Sequence, residues 1–268
     1  MDKLKKDFPE IAGPDLDAFI AAELLFCKGK FPKAARSYEK FTIDFPQSEL
    51  YQAALDRQFE IATAYLAGQK ISFLGIFRIK GYDTGVKIME KITDRAGELP
   101  IGLKAAVAVA ESYEKRGKFS DAYQKWSEIS SRWPTGRTGR DALLSMARCK
   151  HAAYRGPRYD SSDLVSAKSY YGNFRLRYPD TANQEIDTDK KLNQIEEQSA
   201  YKQFSIGRYY QKTGNVESAN LYYQMVVANW PQTTAAKMAQ AAMNEKPDDG
   251  KEQRWGTKII RKLEKWLL

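Results

Sequence analysis

Residues 200–233 read AYKQFSIGRYYQKTGNVESANLYYQMVVANWPQT, and this stretch contains the pattern that decides the fold. Gly214 separates two segments of helical periodicity and is followed by Ala219, Tyr223 and Pro231. A left-handed Gly commonly ends one helix, and a small residue and an aromatic at i and i+4 then share one face of the next. The aromatic-Pro pair stops that second helix because Pro has no backbone N–H. The stretch therefore predicts a helical hairpin.

The same spacing recurs along the chain. Gly and Pro are 17 residues apart in three units, and Ala and Pro are 12 residues apart in four. The signature residues are Gly29, Ala34, Tyr38 and Pro46; Gly117, Ala122, Trp126 and Pro134; Ala167, Tyr171 and Pro179; and Gly214, Ala219, Tyr223 and Pro231. Repetition with such a period indicates a stack of similar helical units.

The first helix of each unit, helix A, carries its own pattern of a large residue, a small residue and an aromatic. Copies of it are Ile61-Ala62-Tyr65, Val109-Ala110-Tyr113 and Ile206-Gly207-Tyr210, with Ala21-Ala22-Leu25 in the first unit. Followed by Ala, an aromatic and Pro on helix B, this order resembles the tetratricopeptide repeat.

We therefore expect an all-α protein, a right-handed superhelix of about five tetratricopeptide-like helical hairpins plus C-terminal helices. Residues 1–14 form an N-terminal extension, and the repeat domain spans 15–244. Within that domain we expect hairpins at about 15–46, 48–100, 101–134, 138–179 and 188–231 and a capping helix at 233–244. A linker and a basic amphipathic C-terminal helix follow at 245–268.

Two units depart from the regular spacing. In the second, helix A ends near Ala67-Gly68, a long loop reaches Asp83, and the small position of helix B is ambiguous between Gly85 and Ile88. In the fourth, the turn between the helices is enlarged, and Ser161 or Ser162 is a plausible N-cap.

Composition favours a folded, charged protein. Hydrophobic residues make up 43% of the chain, charged residues 29%, and the net charge is +9. The positive surplus could favour nucleic acid, anionic lipid or an acidic partner, or could serve solubility alone. Cys27 and Cys149 both fall in helical patterns and are predicted to be small buried residues. No apolar run is long enough to span a membrane, and no signal peptide is visible at the N-terminus.

The residues offer little material for catalysis. His151 is the only histidine, the acidic residues are scattered, and neither Gly29-Lys30 nor Gly117-Lys118 has the surrounding residues of a phosphate-binding loop. We expect no enzyme activity, no catalytic residue, no metal site and no cofactor. Nucleic-acid binding is the less favoured alternative and would use Arg132, Arg137, Arg140, Arg155 and Arg158.

A stack of helical hairpins leaves one face of its A helices free for a ligand. Aromatics and charges on that face would suit an extended peptide. The alternative for each residue is local packing. The candidate groove residues are Phe19, Glu23, Phe59, Thr63, Lys104, Glu111, Leu144, Arg148, Phe204 and Arg208.

Two further segments are unusually apolar for positions outside the repeats. The loop 71–79 either packs on its own protein or forms a partner patch. The C-terminal helix could fold back, dock on a partner protein or lie on a membrane surface. The candidate patch residues are Phe73, Leu74, Ile76 and Phe77 in the loop, and Trp255, Ile259, Leu263 and Trp266 in the helix.

Residues 200–233, the count of five hairpins and the irregular second unit are together similar to the BamD-like (YfiO) family of outer-membrane protein assembly lipoproteins. In that family the loop of the second unit carries a Gly-Phe-Phe-Gly-like patch, which residues 72–77 resemble. The resemblance implies a non-enzymatic scaffold on the periplasmic face of the outer membrane. Its implied partners are the barrel-insertion subunit and unfolded outer-membrane proteins.

Members of that family carry a signal peptide and a lipidated N-terminal Cys, and neither is visible in this chain. Either this sequence begins after them, or the chain is a divergent homologue used elsewhere. The alternative function is that of a general tetratricopeptide adaptor of another envelope or cytoplasmic complex.

Overall fold

The computed structural model describes residues 13–73, 77–97, 99–184 and 187–244. Within these ranges the chain is almost entirely helical, as predicted, with one short β-hairpin. The elements are α1 Pro14–Cys27, α2 Phe31–Asp44, α3 Tyr51–Leu66, β1 Lys70–Phe73, β2 Phe77–Lys80, α4 Tyr82–Arg95, α5 Pro100–Lys115, α6 Phe119–Arg132, α7 Gly136–Ala153, α8 Ser162–Arg177, α9 Pro179–Gln184, α10 Thr188–Lys212, α11 Val216–Asn229 and α12 Thr234–Asn244.

The helices form two compact units, Met1–Lys125 and Trp126–Leu268, with the boundary inside α6. In the first unit, helices that follow one another from α1 to α5 pack in sequence. In the second, α7 packs on α8, α8 on α10, α10 on α11 and α11 on α12. Consecutive packing of this kind is the expected arrangement of helical repeats.

The predicted turn glycines adopt the left-handed conformation. Gly29, Gly117 and Gly214 have φ values of 66°, 70° and 84°. In each turn the glycine N–H donates to the carbonyl three residues back, and the next N–H donates to the carbonyl five residues back. The second of these bonds is typical of a Schellman motif, which satisfies the last carbonyls of helix A before helix B begins.

The small and aromatic signature positions are all buried. Ala34, Ala122, Ala167 and Ala219 are at most 1% exposed, and the aromatics four residues later are at most 5% exposed. The aromatics are Tyr38, Trp126, Tyr171 and Tyr223. The spacing found in the sequence therefore identifies the inward face of each helix B.

The structure resolves the ambiguous position of the second unit in favour of Gly85. A Cβ on Gly85 would lie 3.0 Å from the carbonyl oxygen of Ala62, the small residue of the preceding helix A. Met89, four residues later, is completely buried and occupies the aromatic position. Ile88 is only half-buried at the edge of the core.

The long loop of the second unit contains the β-hairpin, which the sequence interpretation did not predict. β1 and β2 are antiparallel, and Lys70 is paired with Lys80 and Ile71 with Ile79. Ahead of the hairpin, Gly68 keeps the Schellman hydrogen bonds of the other units, with a φ of 95°. The second unit thus ends its helix A in the regular way and inserts two strands before helix B.

Two local predictions need correction. Ser161 occupies the N-cap position of α8, but its side chain caps nothing; instead the Asp160 carboxylate accepts a hydrogen bond from the Ser162 N–H at 2.8 Å. Cys27 is exposed, because it is the last residue of α1 and faces away from the core, whereas Cys149 is buried as predicted. Among the described helices, none is long and apolar enough to cross a bilayer.

Candidate protein-binding surfaces

The predicted groove residues occupy two repeated positions on the A helices. The small residue of each A helix serves as the reference. Four of the predicted groove residues are apolar and lie three residues before this reference, and five are polar and lie one residue after it. We name these the minus-three and plus-one positions. Lys104 belongs to neither and is exposed on α5.

The minus-three residues pack into the protein's own interior. Phe19 lies against Tyr38 with ring centroids 5.8 Å apart, and Phe204, only 3% exposed, lies 5.6 Å from Tyr223. The two others, half-buried against core clusters, are Phe59 and Leu144. A residue three positions before the small residue shares its face of the helix, and that face is buried. Phe204 therefore belongs to the core, and the packing of the other three accounts for the buried part of each side chain.

The plus-one residues are nearer the surface. Thr63, Glu111 and Arg148 are exposed, while Glu23 and Arg208 are half-buried. Glu111 pairs with Lys115 at 3.7 Å, an exposed pair on one helix that contributes little stability. The plus-one side chains are thus acidic or neutral in the first unit and basic in the second.

Glu23 is held inside the first unit by a network of contacts. Arg57 donates to both of its carboxylate oxygens, at 2.8 and 3.2 Å, and the Tyr38 hydroxyl donates to one of them at 2.5 Å. The Arg57 guanidinium also lies 4.7 Å from the centroid of the Phe26 ring. Burial opposes ionisation of Glu23, but the hydrogen bonds from Arg57 and Tyr38 outweigh it, and its pKa lies below the ordinary value.

This network makes Glu23 a link between α1 and α3. Its carboxylate is satisfied by the protein itself, and its side chain is 25% exposed. We therefore assign Glu23 to the interface between neighbouring A helices.

A second polar cluster, which sequence reasoning missed, anchors the last helix. The Glu197 carboxylate accepts hydrogen bonds from the backbone N–H groups of Thr234 and Ala235 at 2.8 and 2.9 Å, and Glu197 is 8% exposed. It therefore caps α12 from the middle of α10. Beside it, Glu196 accepts a hydrogen bond from Trp230 Nε1 at 2.6 Å. The residues joined by these hydrogen bonds are 34 to 38 positions apart in the sequence, so no local sequence pattern indicates the contacts.

The apolar loop is described only at its base. Ile71 is half-buried against the core of the first unit, while Ile79 is 45% exposed. The candidate patch residues lie outside the described part of the structure. These are Phe73 and Phe77, of which the side chains are not described, then Leu74 and Ile76, and the C-terminal set Trp255, Ile259, Leu263 and Trp266.

The side chain of His151 contacts two neighbouring side chains of the second unit. Its Nε2 lies 2.9 Å from Gln198 Oε1, and its ring packs edge-on against Tyr171. Burial lowers its pKa, which favours the neutral imidazole. Among the described residues no group of three His, Cys, Asp or Glu side chains could hold a metal ion.

The arginines considered for nucleic-acid binding are dispersed among different environments. Two stack on rings: Arg132 lies 4.8 Å from the Trp133 centroid and Arg155 lies 4.4 Å from that of Tyr159. Arg137 and Arg140 line a cleft of about 690 Å3 on the second unit.

Comparison with known proteins adds one specific finding. Residues 203–233 match the family model of the tetratricopeptide repeat. These residues are the second half of α10, the Gly214 turn, α11 and the segment that leads to α12. No curated protein matches the chain. The matched hairpin and the packed helical units together show that this is a protein containing tetratricopeptide repeats.

Proposed function

We propose that this chain is a scaffold of the outer-membrane β-barrel assembly machinery, located at the periplasmic face of the outer membrane. In this role it would bind unfolded outer-membrane proteins and hold the barrel-insertion subunit. A tetratricopeptide repeat supports the coarser role, a protein-interaction scaffold, and an all-helical fold of this type is typically not an enzyme. The assignment to barrel assembly rests on the family resemblance of the sequence.

The observation that carries the proposal is the hairpin of residues 203–233. It matches the tetratricopeptide repeat, and it lies within the stretch that resembles the last repeat of the assembly lipoproteins. Gly207, Ala219 and Tyr223 in its interior are all buried. Ala235, Ala236 and Ala239 of α12 complete this core, so a partner would be bound by the side chains that the hairpin presents to solvent.

The surface chemistry supports binding of polar or charged segments. On the second unit the plus-one positions carry Arg148 and Arg208, and on the first unit Thr63 and Glu111 are exposed. The apolar side chains at the minus-three positions are used internally. At the plus-one positions a partner would thus be recognised by hydrogen bonds and charges, which favour specificity and fast association.

The test is copurification of the full chain from a gently solubilised cell envelope, after subcellular fractionation. We expect the protein in the outer-membrane fraction, with a barrel-insertion protein bound to it. Recovery with soluble cytoplasmic proteins alone would overturn the assignment and favour a general adaptor.

A pair of matched variants tests the surface. We expect Arg148→Glu, at a plus-one position, to reduce recovery of the partner, because it reverses a charge on the A-helix face. Arg158→Glu makes the same charge change in the α7–α8 turn of the same unit and should leave recovery unchanged. Equal losses for both variants would show that net charge, and not this face, governs binding.

A further inference from the structure

We propose that a cleft on the second unit binds an acidic segment of a partner protein through Arg137, Arg140 and Arg177. The cleft lies between the first turns of α7 and the junction of α8 with α9, away from the plus-one positions. The inference rests on the proposed role as a protein-binding scaffold and adds the chemical class of one partner segment.

Three arginines line this cleft. Arg137 and Arg140 project from α7, one turn apart, and Arg177 is the last residue of α8. One carboxylate, that of Asp180, stands on the same wall. The cleft therefore has a positive surplus, although it is open to solvent.

The arginines keep donors available for a ligand. Arg140 and Arg137 both turn their Nε atoms toward Asp141, at 3.0 and 3.5 Å from its two carboxylate oxygens. Within the described residues their terminal Nη groups make no hydrogen bond, and Arg177 has the ring of Tyr178 as its contact, 5.7 Å away, and no carboxylate. A guanidinium with two free Nη groups can form a bidentate pair with a carboxylate.

A buried apolar cluster lies beneath the cleft and fixes the backbone from which Arg140 and Arg177 project. Leu143, Phe174 and Ala182 form this cluster, and Tyr178 packs against it. Arg140 and Arg177 each stand three residues from a member of this core. Preorganisation of this kind reduces the entropy lost on binding.

The N-terminus of α7 adds to the positive potential of the cleft. Its N-cap residue, Thr135, makes no side-chain capping bond, and its first turn holds no acidic residue. Gly136, at the start of this turn, lines the cleft, and no carboxylate of the first turn offsets the partial positive charge of the helix N-terminus. This contribution reinforces the arginines and does not stand alone.

An acidic polypeptide fits the cleft better than a nucleic acid. Tyr178 and Pro179 give the wall apolar surface for the methylene groups of Glu or Asp side chains, and Asp180 can accept a backbone N–H of a peptide. Three arginines in one cleft do not make a track along a phosphate backbone.

The experiment measures binding of a short fluorescein-labelled peptide of alternating Glu and Gly to the full chain by fluorescence anisotropy. We expect binding that weakens as salt is raised, and an affinity at least about tenfold lower for the double variant Arg137→Gln, Arg177→Gln, since each carries charge-assisted hydrogen bonds. Both side chains are exposed, so the variant should fold normally.

The matched control is Lys212→Gln, Lys237→Gln, which removes two exposed charges elsewhere on the same unit. We expect it to bind the peptide within about twofold of the unmodified chain, because a carboxylate is recognised by the local pair and not by distant screened charge. Equal weakening in the two variants, no binding of the peptide, or tighter cleft-dependent binding of a single-stranded oligonucleotide would each overturn the inference.

The outcome is separable from that of the proposed function. If the chain captures envelope proteins but ignores the acidic peptide, the cleft inference fails and the scaffold role stands. If the peptide binds through the arginines while the chain captures no envelope protein, the barrel-assembly role fails and the acidic-segment site stands.

Discussion

Replacement of Gly207 by Ala should destabilise the second unit, although Ala is normally the better helix former. Gly207 lies inside α10, and a Cβ there would stand 2.7 and 2.9 Å from two ring carbons of Tyr223 and 3.3 Å from the carbonyl oxygen of Ala219. The ring has little room to move, because it is 1% exposed and its hydroxyl donates to Gln211 at 2.8 Å. The glycine is therefore required by the close approach of helices A and B.

The magnitude follows from two opposing contributions. Overpacking of a filled core costs about 1–3 kcal/mol, and the helix propensity of Ala over Gly returns about 1 kcal/mol. The chain provides a control for the second contribution in Gly172, inside α8 of the same unit, where an added Cβ would meet nothing within 4 Å. We expect Gly172→Ala to be stabilising by up to about 1 kcal/mol. The difference between the two variants then isolates the overlap with Tyr223, at about 1–3 kcal/mol.

Urea unfolding followed by tryptophan fluorescence measures this difference. All five tryptophans lie at or after Trp126, so the signal reports the second unit. With a slope of about 1–3 kcal/mol per molar urea, the midpoint of Gly207→Ala should lie roughly 1 M below that of Gly172→Ala. If Gly207→Ala unfolds at the same urea concentration as Gly172→Ala or at a higher one, the contact between the two helices is not as close as described.

Four further substitutions test other contacts. Glu23→Gln should destabilise the first unit at neutral pH. The folded-state pKa of Glu23 lies below the ordinary value of 4.5. The ionised carboxylate therefore stabilises the fold above pH 4.5, and this stabilisation is lost as the pH falls through the folded-state pKa. Urea unfolding followed by circular dichroism at several pH values should show the two proteins converging in acid, and a constant difference would exclude a role for the ionised carboxylate. Glu197→Ala should cost about 2–4 kcal/mol, since it leaves two helix N–H groups without acceptors, and amide hydrogen exchange in α12 should rise; unchanged exchange there would contradict the capping role. Tyr38→Ala and Tyr223→Ala should each cost about 3–5 kcal/mol, and denaturation midpoints equal to those of the unmodified protein would contradict the repeat register.

Much of the interior could be predicted from the sequence because the repeat imposes it. Once Ala and an aromatic recur at i and i+4 ahead of Pro, sterics leave one face for both, and the structure buries both in every copy. The groove prediction went further than this pattern allows. Phe204 stands three residues before Gly207, on the same helical face, so the spacing that identified the small residue already placed Phe204 inside.

The β-hairpin had a signal that went unused. Lys70 to Phe73 and Phe77 to Lys80 both alternate polar and apolar residues, which is the strand period, and the segment between them contains Gly75. A search for helical repeats gives such a short alternation little weight. The capping of α12 by Glu197 had no local signal at all, since its partners are brought to it by the packing of α12 on α10.

The residues that packing requires are similar in every repeat, so they cannot specify which protein is bound. Specificity must come from positions that the repeat leaves open, and in this chain those positions differ from copy to copy. The plus-one residues change from Glu, Thr and Glu in the first unit to Arg and Arg in the second, while the small residue one position before each stays Ala or Gly. The arginines of the cleft are likewise outside the repeat signature. Substitutions at these positions should therefore alter partner choice with little loss of stability, whereas substitutions of the signature residues should unfold the unit that carries them.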